Sequence, residues 1–284
     1  MSNKIIIEQR GRVRIVSINR PEVHNCVDGE TAVGLAEAIE AFAADAEARV
    51  LIVTGAGELA FCAGADLKNP MSLLQHRYTD IAGPMGFARL DPGKPTIAAI
   101  NGYCFAGGFE LAAWCDFRIA AANAEFGCLS RRWGVPYTDG GTQRFARIMG
   151  LGNALYLLET GARIDAWRAQ AMGFVQEVVP QGQALPRALE LATCIASYPN
   201  FAGMCADRHA TLATYGLSLD EGLKLEAQIV RPTLASDEMI AGLERFRAGA
   251  RDASPRPPSH EAHTETATPS TPNDQHHHAE PQSS

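Results

Sequence analysis

One carboxylate, Glu110, sits in the apolar stretch FAGGFELAAWCD (Phe105 to Asp116), directly after paired glycines. A glycine turn that opens a helix leaves backbone N–H groups without intrahelical partners, and the helix dipole favours negative charge there. The acid therefore has two readings. It is stabilised by the first helical turn whatever its use, or it is a general acid/base whose partial burial brings its proton affinity towards neutrality. A second small-residue bend, CAGADL, follows another apolar strand, and Ala63, Gly64 and Ala65 allow a ligand to approach the main chain closely. Amides from two such bends can form an oxyanion hole, where losing one donor costs about 3–4 kcal/mol of transition-state stabilisation. Gly55-Ala56-Gly57-Glu58-Leu59-Ala60 also matches the form of a dinucleotide-binding fingerprint. That fingerprint should open a helix leading to a second strand and an acid about 20 residues on. Here Gly64 and Pro70 interrupt the pattern, which argues against a nicotinamide dinucleotide.

The elements that must carry these bends read as alternating strands and helices. Two strands flank an Arg10-Gly11 turn, and a helix capped by Asp28 follows, with its apolar face at Ala32, Leu35, Ala36, Ile39, Phe42 and Ala43. The run RVLIVTG is the continuous apolar type buried on both faces of a parallel sheet. Strand, helix and strand recur at PTIAAING, from near Gly108, and at FRIAAA. This predicts an α/β class with right-handed crossovers. The later segments, from TQRFARIMG through DAWRAQAMGFVQEVV and LPRALELATCIASYP to SDEMIAGLERFRAG, all read as helical, with Gly or Pro between them. A boundary is expected near 195 to 205, giving a core over 1–200 and a helical region over 201–250.

Composition narrows the function classes. The 284 residues are 46% hydrophobic and carry a formal charge of −7, with no basic stripe, which argues against nucleic acid as a partner. No apolar run reaches the roughly 20 residues of a membrane span, and MSNKIIIEQRGR lacks a secretory apolar core, so a cytoplasmic location away from membranes is expected. The seven cysteines are scattered without ligand spacing and read as buried thiols, so no metal is expected. Residues 252–284 hold six prolines and no Val, Ile, Leu, Met or aromatic residue, so they read as a disordered acidic tail. His276, His277 and His278 lie there, and a chain without fixed geometry is a poor metal site.

Four motifs, FCAGADL, KPTIAAINGYCFAGGFELAAWCDFRIAAANAEFG, WGVPYTDGGTQRFARIMG and LETGARIDAWRAQAMGFVQEVVP, together resemble the enoyl-CoA hydratase/isomerase (crotonase) family, from about Ile5 to Ala248. The resemblance implies a crotonase-like α/β fold of repeated ββα units with a C-terminal helical subdomain that forms trimers or hexamers. It implies an acyl-CoA thioester as substrate, with coenzyme A part of that substrate and no separate cofactor. Position by position, it puts the oxyanion donors at Ala65 and Gly107, and substrate contacts at Ala63, Gly64, Asp66, Leu67, Lys68 and Gly108. It makes Glu110 an acid/base.

The chain departs from the family pattern at one point. Where two-glutamate hydratases carry a second acid, CLSRRWG has Ser130, whose hydroxyl cannot by itself accept and donate protons near neutral pH. Three compensations are consistent with the sequence: a carboxylate from Asp139 in YTDGGT, Glu110 working alone, or Arg131 and Arg132 binding an acidic acyl chain. Hydration of an enoyl thioester is the first expectation. Isomerisation by a single glutamate, or acyl-CoA binding with weak turnover, are the alternatives. The acyl end is expected to lie along Met71 to Asp91, with Met85, Phe87 and Leu90 as apolar contacts and His76 as a titrating group.

Overall fold

The computed structural model describes residues 4–249, so the tail expected over 252–284, with its histidine run, lies outside the described residues. The main sheet has six strands. Strand β1 (Ile5–Arg10) turns through Gly11, at φ +58°, into antiparallel β2 (Val13–Ile18). From β2 onward the neighbours are parallel: β3 (Val50–Gly55), β5 (Thr96–Ile100), β7 (Phe117–Ala121) and β10 (Glu177–Val179). A second sheet of four short strands holds β4 (Ala60–Cys62), β6 (Tyr103–Phe105), β8 (Glu125–Gly127) and β9 (Arg163–Asp165).

Both faces of the main sheet are covered, which is why β3 and β5 are buried at every position and, apart from Thr54 and Thr96, carry no polar side chain. On one face Val13, Ile15, Val50, Ile52, Ile97, Ala99, Ile119 and Ala121 pack against helix α8 (Ala184–Ser197). That helix presents Ala184, Ala188, Ala192 and Ala196 at four-residue spacing, so it can lie close to the strands. On the other face Val16, Ile18, Leu51, Val53, Ala98 and Ile100 join the core shared with the second sheet. That core includes α1 (Gly29–Ala44), whose N-cap Asp28 accepts from Thr31 N–H at 2.9 Å, and α4 (Gly107–Trp114). Ala43, expected on the buried face of α1, is exposed; the buried stripe ends at Phe42 because the chain turns out at Asp45.

Short helices α2 (Met71–Gln75) and α3 (Thr79–Ala82) lie in the connection between β4 and β5. Helices α5 (Gly141–Met149) and α6 (Leu151–Thr160) lie between β8 and β9, and α7 (Ala166–Ala171) follows β9 directly. The segment DAWRAQAMGFVQEVV is not one helix. α7 stops at the Gly173 turn, at φ +81°, and the β-branched residues Val178 and Val179 complete β10 beside β7. After α8 come α9 (Phe201–Thr214), α10 (Leu219–Val230) and α11 (Asp237–Arg247). Helix α9 buries only Gly203 and Ala210, and α10 and α11 bury none of their described residues. Arg208 ties α9 to the core through Asp116 and Asp91, each at 2.8 Å. Among the described residues no helix is long and apolar enough to cross a membrane, and no cluster of metal-ligand type occurs.

Candidate active site

The two small-residue bends meet. A β-carbon on Gly64 would stand 2.9 Å from Gly107 N, and one on Gly107 would stand 3.6 Å from Gly64 Cα. Gly64, at φ +99°, therefore admits no side chain on two counts. Behind them Gly108 lets α4 approach β4 so closely that a β-carbon would lie 2.0 Å from Cys62 O. Gly64 and Gly108, expected to touch substrate, thus stand behind the cavity wall and make the approach of its two halves possible. Ala63, Ala65, Asp66, Leu67, Lys68 and Gly107 do line the cavity.

Backbone bonding leaves donors on this wall. Val27 bridges Ala65 in parallel: Val27 N–H donates to Gly64 O and Asp66 N–H to Val27 O, both within 2.9 Å. In that pattern the peptide groups flanking the bridge are used, while Ala65's own N–H points away from the partner strand. Gly107 is the first residue of α4, and its N–H is one of the donors a helix start leaves over. Among the described residues neither amide donates to a protein acceptor. The peptide between Ala106 and Gly107 is set by Ala106 at φ 50°, ψ −122°, a conformation that strains an alanine.

The opposite wall comes from the chain between β8 and α5. One 3-10 turn, Leu129–Trp133, ends at Gly134, at φ 70°, and an extended Val135-Pro136 segment brings Tyr137, Thr138 and Asp139 back over α4. Glu110, 3% exposed, points at this segment. Its Oε1 accepts from Asp139 N–H at 3.0 Å and from Gly141 N–H at 2.7 Å, so it sits at the N-terminus of α5 as well as in the first turn of α4. Its Oε2 accepts no hydrogen bond among the described residues, and Glu110 lines the cavity. Burial pushes Glu110 up to about 8, outweighing the amide bonds, with Asp139 adding to the rise and Arg144 opposing it. A buried acid of this affinity can hold or release a proton near neutral pH.

Asp139 is equally buried, and burial raises it above the ordinary carboxylate range. Its Oδ2 accepts a local bond from Thr138 Oγ1 at 3.1 Å, and its Oδ1 accepts from Met85 N–H at 3.0 Å, across 54 positions of sequence. Met85 in turn covers Gly107, where a β-carbon would stand 2.1 Å from its sulfur. Ser130 Oγ and Tyr137 hydroxyl are buried without a hydrogen-bond partner among the described residues, and both side chains line the cavity. The whole cavity encloses about 510 Å³, and Lys68 and the exposed Trp133 stand at its edge.

Several expected residues lie elsewhere. Phe87 is fully buried against Trp114, and Leu90 O accepts from Trp114 Nε1 at 2.8 Å, so of the three apolar contacts only Met85 faces the cavity. His76 accepts from Tyr78 N–H at 3.2 Å and donates through Nε2 to Pro84 O at 2.7 Å, which fixes the loop. Arg131 donates to Leu158 O at 3.1 Å, and neither it nor Arg132 lines the cavity. Asp66, which does line the cavity, is also an ion-pair partner of Arg20 at 2.9 Å. Tyr137 was missed by the sequence reading: an aromatic residue beside a proline in a loop carries no spacing that marks it.

The model of the enoyl-CoA hydratase/isomerase family matches residues 8–251. The short-chain-enoyl-CoA hydratase of Clostridium acetobutylicum is 39% identical over 69% of this chain and 76% of its own length. The crotonyl-CoA hydratase of Syntrophomonas wolfei is 34% identical over 85% of this chain and 94% of its own. The crystal structure of an enoyl-CoA hydratase from Mycobacterium marinum superposes with a TM-score of 0.82 at 33% identity, covering 90% of this chain and 98% of that one. With the two glycine bends apposed and a buried carboxyl group between two helix starts, the fold, the site and the relatives agree: this chain belongs to the enoyl-CoA hydratase/isomerase family.

Proposed function

We propose that the chain is a hydratase that adds water to a 2-enoyl-CoA thioester, or removes it from the 3-hydroxyacyl product, through an enolate. The observation that carries this reading is Glu110: a buried acid, its proton affinity pushed up to about 8, on the wall of a cavity that Ala65 and Gly107 also line, with their amides unused among the described residues. The Ala65 and Gly107 N–H groups receive the thioester oxygen as it gains charge, an interaction stronger in the enolate than in the ground state. Ionised Glu110 takes a proton from water as the hydroxyl adds to the β-carbon, and the same carboxyl group returns a proton to the α-carbon. Asp139 acts on this chemistry indirectly, by holding Met85 over Gly107 and by raising the proton affinity of Glu110. Ala63, Leu67 and Lys68 line the side expected to meet coenzyme A, with no separate cofactor. Naming of relatives as hydratases favours this over isomerisation or binding without turnover.

The region 201–250 is proposed to join copies into a trimer or a dimer of trimers. Leu212, Leu219, Leu223, Ile240, Leu243 and Phe246 are exposed along it, and burying each such side chain contributes about 1.5–3 kcal/mol. The location is proposed to be cytoplasmic, where acyl-CoA is met in solution.

A panel of 2-enoyl- and 3-enoyl-CoA thioesters of increasing chain length tests the reaction. The expected result is loss of the conjugated enoyl absorbance and gain of one water with 2-enoyl substrates. Conversion of 3-enoyl to 2-enoyl thioesters without water would establish isomerisation instead. Because Glu110 works as a base, kcat/KM for hydration is expected to rise with pH through about 8 and then level off.

A further inference from the structure

The Ser130 and Tyr137 hydroxyls have no role in the chemistry above, and among the described residues no hydrogen bond of ordinary geometry completes either of them. Buried hydroxyls are nearly always hydrogen-bonded, and leaving one unpaired costs about 1–3 kcal/mol. Two such groups on the same wall of one cavity therefore point to a small polar species that completes them.

Their surroundings indicate which. Tyr137 hydroxyl lies beside Ser130 Oγ and Cys128 Sγ. The Tyr137 ring and Glu110 flank the same small space above Gly141, where a β-carbon would stand 2.8 Å from both Glu110 Cγ and Tyr137 Cδ1. Gly141 is thus needed for the carboxyl group and the phenol to approach each other. Burial holds the phenol far above its ordinary range, so at neutral pH it donates and accepts hydrogen bonds without ionising. An ordered water needs two to four polar partners. Ser130, Tyr137 and Glu110 line one cavity and offer three such groups, the two hydroxyls and the Oε2 that accepts no hydrogen bond among the described residues.

We propose that Ser130 and Tyr137 together hold the water molecule that is added to the enoyl thioester, presenting it to Glu110. This rests on the hydratase reading and assigns the position of the missing second acid a positioning task in place of a proton-transfer task. In the step, the water oxygen forms the bond to the β-carbon and one of its protons passes to Glu110. The π pair moves towards the α-carbon and the thioester oxygen, and Glu110 then delivers its proton to the α-carbon. Neither hydroxyl gains or loses a proton overall.

The test separates water addition from proton exchange at the α-carbon. A saturated acyl-CoA in heavy water exchanges its α-hydrogens through Glu110 and the two amides alone, with no need of a positioned nucleophile. Ser130→Ala, Tyr137→Phe and the double variant are compared with the parent for hydration of a short 2-enoyl-CoA and for deuterium uptake by the saturated thioester. Expected is a fall in kcat for hydration of about 10-fold for each single variant and about 100-fold for the double, with KM and deuterium uptake within threefold of the parent. Circular dichroism and thermal unfolding establish that each variant is folded.

Equal falls in hydration and exchange would overturn the proposal, since the pair would then support the acid or the fold and not the water. Unchanged hydration in the double variant would overturn it as well. A parent that exchanges α-hydrogens but hydrates no thioester would instead remove the hydratase reading on which it rests. Ser130→Glu adds a further arm: a restored carboxyl group should change the hydration pH profile while Tyr137→Phe on that background has less effect than in the parent.

Discussion

The two walls of the cavity are built in opposite ways. The wall of Ala65 and Gly107 offers backbone, fixed from behind by Gly64 and Gly108, whose neighbours leave no room for a methyl group. The wall of Ser130, Tyr137 and Asp139 offers side chains, the first on a 3-10 turn and the others on the loop that leads from it to α5. Glu110 spans the two, rooted in the first turn of α4 and bonded to amides of the opposite loop. A backbone wall tolerates little sequence change, because its donors come from main-chain geometry. A side-chain wall can exchange one chemistry for another without disturbing the main chain.

That contrast can be broken most severely at the backbone wall. Gly108→Ala drives a methyl group onto Cys62 O, a main-chain atom that cannot swing away, so a loss of about 3 kcal/mol or more is expected in urea unfolding. Ser130→Ala on the other wall should change stability by well under half of that, because it removes an unpaired hydroxyl.

The carboxyl group between the walls gives the next largest effect. Its folded-state proton affinity, about 8, lies above the ordinary 4.5. Between those values the unfolded chain releases a proton that the folded chain keeps, so this group lowers stability progressively as pH rises through the window, with no further change above it. Glu110→Gln removes the slope. The variant is expected to gain on the parent by about 2–4 kcal/mol between pH 4.5 and 9. Chemical denaturation at a series of pH values measures this, and parallel curves for the two proteins would contradict it.

Asp139→Asn is a smaller perturbation that sharpens the comparison. The amide oxygen can still accept from Met85 N–H, so the loop over Gly107 stays in place while the neighbouring negative charge is lost. The midpoint of the kcat/KM profile should move down from about 8, by about half to one pH unit. A midpoint moving upward would mean that Asp139 does not act on Glu110 through its charge. The smallest effect is expected at Ala106→Gly, which relieves the strained φ of 50° and should raise stability by about 1 kcal/mol. A loss of stability there would show that Ala106 is not strained.

How much of this could be read from the sequence follows the same division. The parallel strands were legible because both sheet faces are covered, making β3 and β5 continuous apolar runs with helical spacing in between. The backbone wall was legible because glycines mark close approaches and positive φ. Phe174 to Val179 was misread as helical: a short edge strand with its turn carries too little periodicity to separate from the end of α7. The roles of Met85, His76 and Arg131 depended on which way a loop side chain turns, and that is set by partners up to tens of residues away, such as Asp139 for Met85. Tyr137 had no signal at all, since its meaning comes from facing Ser130 across a fold that brings the two hydroxyls together.

The central claim is that Glu110 carries protons at an acyl-CoA held by two amides. Incubation of the parent and Glu110→Gln with a short 2-enoyl-CoA in heavy water, followed by mass spectrometry, tests it most directly. The account predicts that the parent forms the 3-hydroxyacyl thioester with one deuterium at the α-carbon, and that the variant, still binding the thioester, does so about 10²–10⁴-fold more slowly. Equal rates in the two proteins would contradict it.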